Sequence, residues 1–155
     1  MNTNIEPVKK FRSFLFSQAP IGERLLSYRK FLALRHYFQE IGWFQSLATG
    51  LPVDREGQAL PWFTYPAIAF LNGRIQSTMN VFEYGSGNST LWWSQKVAKV
   101  VSYEHDLDWY NSLKGRLPAN VEYRHCNLES GGAYSQAILA YNQAFDIIVI
   151  DGRDR

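Results

Sequence analysis

The fold of this chain is decided by one stretch of sequence, Val81-Phe82-Glu83-Tyr84-Gly85-Ser86-Gly87-Asn88-Ser89-Thr90. Its first residues are mostly apolar, which is typical of a short buried strand. Gly85 and Gly87 then permit a sharp turn in which the backbone approaches a ligand without a Cβ in the way. Ser89 or Thr90 can cap a following helix. The stretch therefore predicts a strand, a glycine turn and a helix whose N–H groups point at a nucleotide-like ligand.

Composition sets the class of protein. The 155 residues fit one domain, and the 16 basic and 14 acidic residues give a net charge of only +2, which does not argue for nucleic acid. The single cysteine, Cys126, cannot form an intramolecular disulfide, so a cytoplasmic setting is expected. Residues 1–10 do not resemble a signal peptide, and no apolar run approaches the length of a membrane span.

The N-terminal part, residues 1–75, is expected to form a helical cap. Apolar residues within 21–48 recur at about the helical period, which predicts one long helix or two shorter ones with a break near Gly42. Glycines and prolines mark a loop at 50–61. Thr64 is a plausible N-cap for a further helix that begins there or at the next residue.

The C-terminal part, residues 76–155, alternates strands with helical segments and is expected to form a partial core. The expected strands are Val81–Tyr84, Val100–Tyr103, Val121–Tyr123 and Phe145–Ile150. The expected helical segments are Thr90–Val97, Leu107–Arg116 and roughly Tyr134–Asn142. The last strand is continuously apolar after Asp146, as in a strand covered on both faces. This order predicts an α/β fold with a doubly wound, mostly parallel, Rossmann-like sheet of about four strands.

The acid at the end of the first strand discriminates between ligands. Glu83 lies two residues before Gly85, where a carboxylate would repel a pyrophosphate but would suit an ammonium or sulfonium group. The third glycine of the dinucleotide fingerprint is also absent, because Thr90 occupies its position. An NAD-dependent oxidoreductase is therefore a less favoured alternative.

A second acid, Glu104, ends the next strand about twenty residues after the turn. An acid in this position can accept hydrogen bonds from both hydroxyls of a ribose. His105 either stacks on a ligand or faces solvent. Asp106 is an alternative cap for the helix that follows.

A third acid, Asp151, follows the last strand and is expected on the same rim, because ligands bind at the carboxyl ends of such strands. Its role stays open between a cofactor amine contact, a general base, a metal ligand and a cap. Asn127, after the third strand, is a weaker rim candidate that could reach a purine edge. No metal site is predicted, because the spacing of the three histidines does not fit metal ligands: His36, His105 and His125.

Together these residues resemble the class I S-adenosylmethionine-dependent methyltransferases. Glu83–Thr90 looks like the glycine-rich first motif of that family in its E-x-G-x-G-x-S-T form. Val101–Asp106 resembles the second motif, and Phe145–Arg153 resembles the fourth-strand motif that ends in I-D-G. Pro61–Ile68 looks like the helix that precedes the core in some bacterial members. The resemblance covers about residues 61–155.

The resemblance implies the cofactor S-adenosyl-L-methionine. The implied cofactor-binding residues are Glu83, Gly85, Ser86, Gly87, Asn88, Ser89, Thr90, Glu104, His105 and Asn127. In this family the acid and glycines of the turn border the methionine moiety, the second acid holds the ribose, and Asn127 would lie near the adenine. Asp151 would lie near the methyl-transfer centre and is the expected catalytic residue. Some members bind a metal after this strand, but their other ligands lie further downstream than Arg155, so no metal is expected.

The family's core sheet has seven strands, whereas this sequence ends just past the fourth. We therefore expect a truncated chain, whose last strand would be an unpaired apolar edge. The alternatives are a half-domain completed by a partner and a shortened protein whose N-terminal helices cover the sheet. A homo-oligomer or a partner chain over that edge follows from the same expectation.

The leading functional hypothesis is methyl transfer to oxygen or nitrogen of a small or medium acceptor. A second hypothesis is a non-catalytic binding module derived from a methyltransferase, which the short C-terminus and the aromatic-rich helical region at 11–71 motivate. An aminopropyltransferase is a minor alternative, because it shares the glycine turn.

Overall fold

The computed structural model describes residues 21–142 and 145–152. Its contacts divide the chain into two compact units, with the division between Glu40 and Ile41. Helix α1 of the first unit spans Ile21–Glu40, and several of its large apolar side chains are exposed, including that of Phe31. The loop and helices at 41–75, which the sequence groups with the N-terminal cap, belong to the same unit as the sheet.

The second unit is built on one four-stranded sheet. Its strands are β1 (Asn80–Tyr84), β2 (Lys99–Glu104), β3 (Val121–His125) and β4 (Ile147–Ile150). Its α-helices are α2 (Trp43–Thr49), α3 (Tyr65–Asn72), α4 (Asn88–Ser94) and α5 (Leu107–Lys114). The strand order is β3-β2-β1-β4 and every pair is parallel. The α/β fold with a parallel sheet of four strands is therefore confirmed.

The turns of the cap follow from local chemistry. The expected helix break lies at Gly42, whose φ of 78° favours glycine, and a Cβ there would lie 2.4 Å from the backbone carbon of Asp54. Thr64 caps α3, because its Oγ1 accepts a hydrogen bond from the Ala67 N–H at 3.4 Å. Asp106 caps α5 in the same way through the Trp109 N–H at 2.9 Å.

The prediction of an α-helix at roughly 134–142 is wrong. The described part of that segment holds only a short 3₁₀ helix, Ala137–Ala140. Tyr134 and Ala137 are both buried against the sheet, and the Ala137 N–H donates to the Tyr134 carbonyl at 3.1 Å. A spacing of three between buried residues matches the period of a 3₁₀ turn rather than that of an α-helix.

Each face of the sheet is packed with side chains, as a parallel sheet requires. One face carries valines of β1, β2 and β4 that pack with the side chains of Ile68, Trp92, Trp93 and Val97. The opposite face carries aromatic residues, and the rings of Phe82 and Tyr103 stack with centroids 5.6 Å apart. Residues 126–142 and Phe145 cover this second face with Tyr134, Ala137 and Tyr141, among others.

Strand β4 forms an edge of the sheet. Among the described residues it pairs with β1 alone, and its side chains Ile148 and Ile150 are 52% and 57% exposed. The sequence-based expectation of an apolar edge at the last strand agrees with this part of the structure. Such an edge offers unpaired backbone groups and apolar side chains to another strand.

The turns after β1 and β4 lie in close contact. Gly85 has a φ of 86°, and a Cβ built on it would lie 3.0 Å from the Gly152 nitrogen. A Cβ on Gly152 would lie only 2.2 Å from the Tyr134 hydroxyl oxygen. Both positions therefore favour glycine. The Tyr134 side chain packs against Gly152 from the aromatic face of the sheet.

This contact predicts the effect of Gly152→Ala. We expect a loss of about 1–3 kcal/mol in the free energy of unfolding, because the new methyl group overlaps the Tyr134 hydroxyl. Urea unfolding followed by circular dichroism measures the loss. Gly115→Ala is the matched control and should be near neutral, since a Cβ at Gly115 meets nothing within 4 Å.

Tyr134→Phe provides the second arm of this test. In the Gly152→Ala background it removes the overlapping oxygen, so part of the lost stability should return. Equal urea midpoints for Gly152→Ala and the unmodified chain would contradict the close contact.

Candidate functional site

The carboxyl ends of the parallel strands bring the predicted acids to one rim of the sheet. Glu83 and Glu104 lie near the ends of the neighbouring strands β1 and β2, and Asp151 follows β4 on the other side of β1. The Asp151 N–H donates to the Tyr84 carbonyl at 3.0 Å, which continues the β1–β4 ladder to the rim. The charge of Asp151 also acts on the Glu83 carboxyl group.

Glu83 is the most buried of the three acids, with no exposed surface. Its Oε2 accepts a hydrogen bond from the Thr90 hydroxyl at 2.6 Å, and the Thr90 oxygen accepts one from the Gly87 N–H at 3.1 Å. This chain of bonds fixes the start of α4 against the end of β1. The second carboxyl oxygen, Oε1, is buried and has no hydrogen-bond partner among the described residues.

The burial of Glu83 shifts its titration. Desolvation raises its pKa from 4.5 to about 7, against the lowering effect of the nearby hydroxyl groups of Ser89, Thr90 and Ser102. The negative charge of Asp151 raises the pKa further. A cation next to this carboxyl group would favour the ionised form, so the site is suited to a ligand with an ammonium or sulfonium group.

Glu104 is also buried, but its carboxylate is fully hydrogen-bonded. Its Oε2 accepts from the Ser86 N–H at 3.0 Å and from the Ser86 hydroxyl at 2.7 Å. Its Oε1 accepts from the N–H groups of His105 and Asp106 at 2.8 and 2.9 Å. A ribose would therefore have to replace the Ser86 hydroxyl, which also lies 2.7 Å from the Tyr123 hydroxyl and so has a second partner.

The remaining predicted residues are distributed around the turn. The His105 ring is half-buried and packs edge-on against Tyr134, with centroids 5.8 Å apart. The Asn88 side chain donates to the Pro52 carbonyl at 2.7 Å, so it ties the turn to the cap loop. Asn127 is exposed just beyond β3, where the Cys126 N–H donates to the Glu104 carbonyl at 2.9 Å.

Sequence reasoning missed two aromatic residues at this rim. Trp109 donates from its indole nitrogen to the Ser86 carbonyl at 2.9 Å, and its ring lies 3.7 Å from where a Cβ of Gly87 would be. Tyr134 is only 3% exposed, and its hydroxyl makes no hydrogen bond of normal geometry with the described residues, although the Gly85 backbone acts on it. The available signal for Trp109 was its position in the first turn of the helix that follows the second acid.

Burial raises the pKa of Tyr134 to about 12, so its hydroxyl carries its proton at neutral pH. The nearby charges of Glu104 and Glu83 act in the same direction. Two buried polar atoms of this rim, Glu83 Oε1 and Tyr134 Oη, thus keep unused hydrogen-bonding capacity. Buried groups of this kind are uncommon in proteins and often belong to ligand sites.

Within residues 21–142 and 145–152, no three His, Cys, Asp or Glu side chains group as a metal ion would need. No helix in that part of the chain is long and apolar enough to cross a membrane. No protein-family model matches the chain, and a search of the curated proteins found no match. The site must therefore be interpreted from its own chemistry.

The raised pKa of Glu83 predicts how stability varies with pH. Between pH 4.5 and about 7 the folded state holds a proton on Glu83 that the unfolded state has released. Stability should therefore fall as pH rises through this window and then level off, by roughly 3 kcal/mol at most. Urea unfolding at a series of pH values measures the fall, and Glu83→Gln should remove this component.

Glu129→Gln is the control for that series, because Glu129 is an exposed glutamate. It should leave the pH dependence as it is in the unmodified chain. The same slope in Glu83→Gln and the unmodified chain would show that Glu83 does not retain its proton in the folded state.

Proposed function

We propose that the protein binds S-adenosyl-L-methionine and transfers its methyl group to oxygen or nitrogen of a small acceptor. The observation that carries this proposal is the Glu83 carboxyl group, which is fully buried beside the glycine turn with Oε1 unpartnered among the described residues. An unpartnered buried carboxyl is costly, and a cationic ligand offsets that cost by pairing with it.

The residues of the rim fit this cofactor. Glu83 would hold the amino group, with Thr90 keeping the carboxyl group in place. Glu104 would hold the ribose once the Ser86 hydroxyl moves to its other neighbour, Tyr123. His105 and Asn127 are the candidates for the purine side.

The chemistry then needs little beyond positioning. The bound cofactor supplies a methyl group on a positively charged sulfur. An acceptor oxygen or nitrogen held in line with it would form a bond to the methyl carbon while the carbon–sulfur bond breaks and its electron pair stays on sulfur. The acceptor proton passes to the Asp151 carboxylate, which acts as the base and then releases it to water.

A dinucleotide fits this turn less well. The Gly87 N–H, one of the groups that would face a pyrophosphate, already donates to the Thr90 hydroxyl at 3.1 Å. The Glu83 carboxylate would also repel the phosphates when ionised. An NAD-dependent oxidoreductase is therefore not proposed.

One observation favours a second candidate function, a non-catalytic interaction module. The exposed side chains Ile148 and Ile150 lie on β4, whose outer edge has no partner strand among the described residues. A partner chain that adds a strand there would bury both isoleucines. Light scattering after size-exclusion chromatography separates the two functions, since this module requires a stable complex without methylation.

Calorimetric titration tests the proposed cofactor. S-adenosylhomocysteine and S-adenosylmethionine should both bind the full chain, whereas NADH should not. Glu104→Ala should weaken binding by about tenfold to a hundredfold, since it removes both the ribose acceptor and the carboxylate that holds the turn through Ser86, His105 and Asp106. Glu129→Ala, at an exposed position that is not among the assigned cofactor residues, should leave the Kd unchanged. Binding that is absent in a folded chain, or equal in Glu104→Ala, would refute the proposal.

Ser86→Ala tests how Glu104 becomes available. The substitution removes the hydroxyl that occupies Glu104 Oε2 at 2.7 Å, while the Ser86 backbone N–H contact remains possible. We expect the Kd for S-adenosylhomocysteine to stay within about threefold of the unmodified value or to fall, because the ribose no longer competes with that hydroxyl. A loss of tenfold or more would mean that the Ser86 hydroxyl itself holds the ligand.

A further inference from the structure

The second unit contains a cavity between α2, the loop that follows α2, and α3. Its volume is about 360 Å³. Aromatic and aliphatic side chains form most of its wall, among them Trp43, Leu47, Trp62, Phe63 and Ile68. Small-molecule sites in proteins begin at about 300 Å³, so the cavity has room for one or two fused rings.

The wall of this cavity is held by internal hydrogen bonds. Ser46 on α2 donates from its hydroxyl to the Val53 carbonyl at 2.9 Å and accepts from the Val53 N–H at 3.0 Å. The Leu60 N–H donates to the Pro52 carbonyl at 2.9 Å. These bonds fix the loop against α2 and satisfy the Ser46 hydroxyl and the Val53 backbone groups. The cavity is thus formed before any ligand enters it.

The chemistry of the wall restricts the occupant. None of the described residues that line the cavity is Asp, Glu, Lys or Arg. A charged ligand would lose its hydration there without gaining an ion pair. Flat rings, in contrast, gain both apolar burial and ring–ring contacts with Trp43, Trp62 and Phe63. The favoured occupant is an uncharged molecule built on a flat ring.

One side chain connects this wall to the glycine turn. Asn88, the first residue of α4, donates to the carbonyl of Pro52 at 2.7 Å, and Pro52 itself lines the cavity. This hydrogen bond joins the cavity wall to the turn that would hold the cofactor. A ligand in the cavity would therefore lie beside Pro52, the residue that contacts the turn through Asn88.

We propose that this cavity is the site of the methyl acceptor and that the acceptor is an uncharged ring compound with a hydroxyl group. The proposal rests on the proposed methyl transfer, which requires an oxygen or nitrogen nucleophile near the turn. The ring provides the binding energy in the cavity, and the hydroxyl provides the atom that is methylated.

Calorimetric titration of the full chain with 2-naphthol tests the site directly. Binding with one site per chain is expected, and naphthalene-2-sulfonate should bind at least about tenfold more weakly because its charge is desolvated in the cavity. Equal binding of the two compounds, or no binding of 2-naphthol, would overturn the proposal.

Two substitutions, one in the cavity wall and one outside it, test where 2-naphthol binds. Trp62→Ala should weaken 2-naphthol binding by about fivefold or more, since it removes a ring from the wall. Trp62 is 73% exposed, so its loss should not unfold the protein. Phe70→Ala is the matched control, because Phe70 is an exposed aromatic residue of α3 that does not line the cavity. Equal weakening in both variants would overturn the assignment.

A titration in the presence of S-adenosylhomocysteine separates this proposal from the proposed function. Binding of both compounds together supports both proposals. Binding of S-adenosylhomocysteine without 2-naphthol overturns the acceptor site alone. Binding of 2-naphthol without S-adenosylhomocysteine overturns methyl transfer and with it the acceptor role. Displacement of 2-naphthol by S-adenosylhomocysteine, or the reverse, also overturns the acceptor site. The same holds if native mass spectra show a dimer of the chain in which the cavity no longer binds 2-naphthol.

Discussion

The buried carboxyl group of Glu83 is the constraint on which the rest of the site depends. It receives the Thr90 hydroxyl, which in turn receives the Gly87 N–H, so the strand, the glycine turn and α4 are connected through one side chain. Burial without full hydrogen bonding is a cost to folding, and an apolar residue there would avoid it. Such a cost is typical of sites whose geometry serves a ligand rather than stability.

The two neighbouring acids of the rim have different roles because their hydrogen bonds differ. Glu104 is saturated by donors from Ser86, His105 and Asp106, so it holds the turn of β1 against the end of β2. Glu83 keeps one oxygen without a partner among the described residues. In the proposed site, Glu83 offers a ligand this unpartnered oxygen once the ligand reaches the buried side chain, whereas Glu104 becomes available only by exchange with the Ser86 hydroxyl. The free energy that Glu104 contributes to ligand binding is therefore the difference between its hydrogen bond to the ligand and the one it gives up to the Ser86 hydroxyl.

Much of the core could be predicted from the sequence, because strands, glycine turns and caps are encoded locally. The apolar runs and the positions of Thr64 and Asp106 were sufficient for this part. The 3₁₀ segment and the role of Tyr134 could not be predicted, since they depend on how residues far apart in sequence pack on the aromatic face. Trp109 was missed for the same reason, as its indole contacts a carbonyl 23 residues earlier in the chain.

Strand β4 is both the exposed edge of the sheet and the element that leads to Asp151 at the rim. Strand β4 ends at Ile150, directly before Asp151, and in the described residues only β1 pairs with it. The position of the proposed base therefore depends on the stability of an edge strand that has two exposed isoleucines. A strand that paired with β4 would stabilise the folded form of this edge and with it the rim. A strand that paired with β4 would therefore also act on the position of Asp151 at the rim.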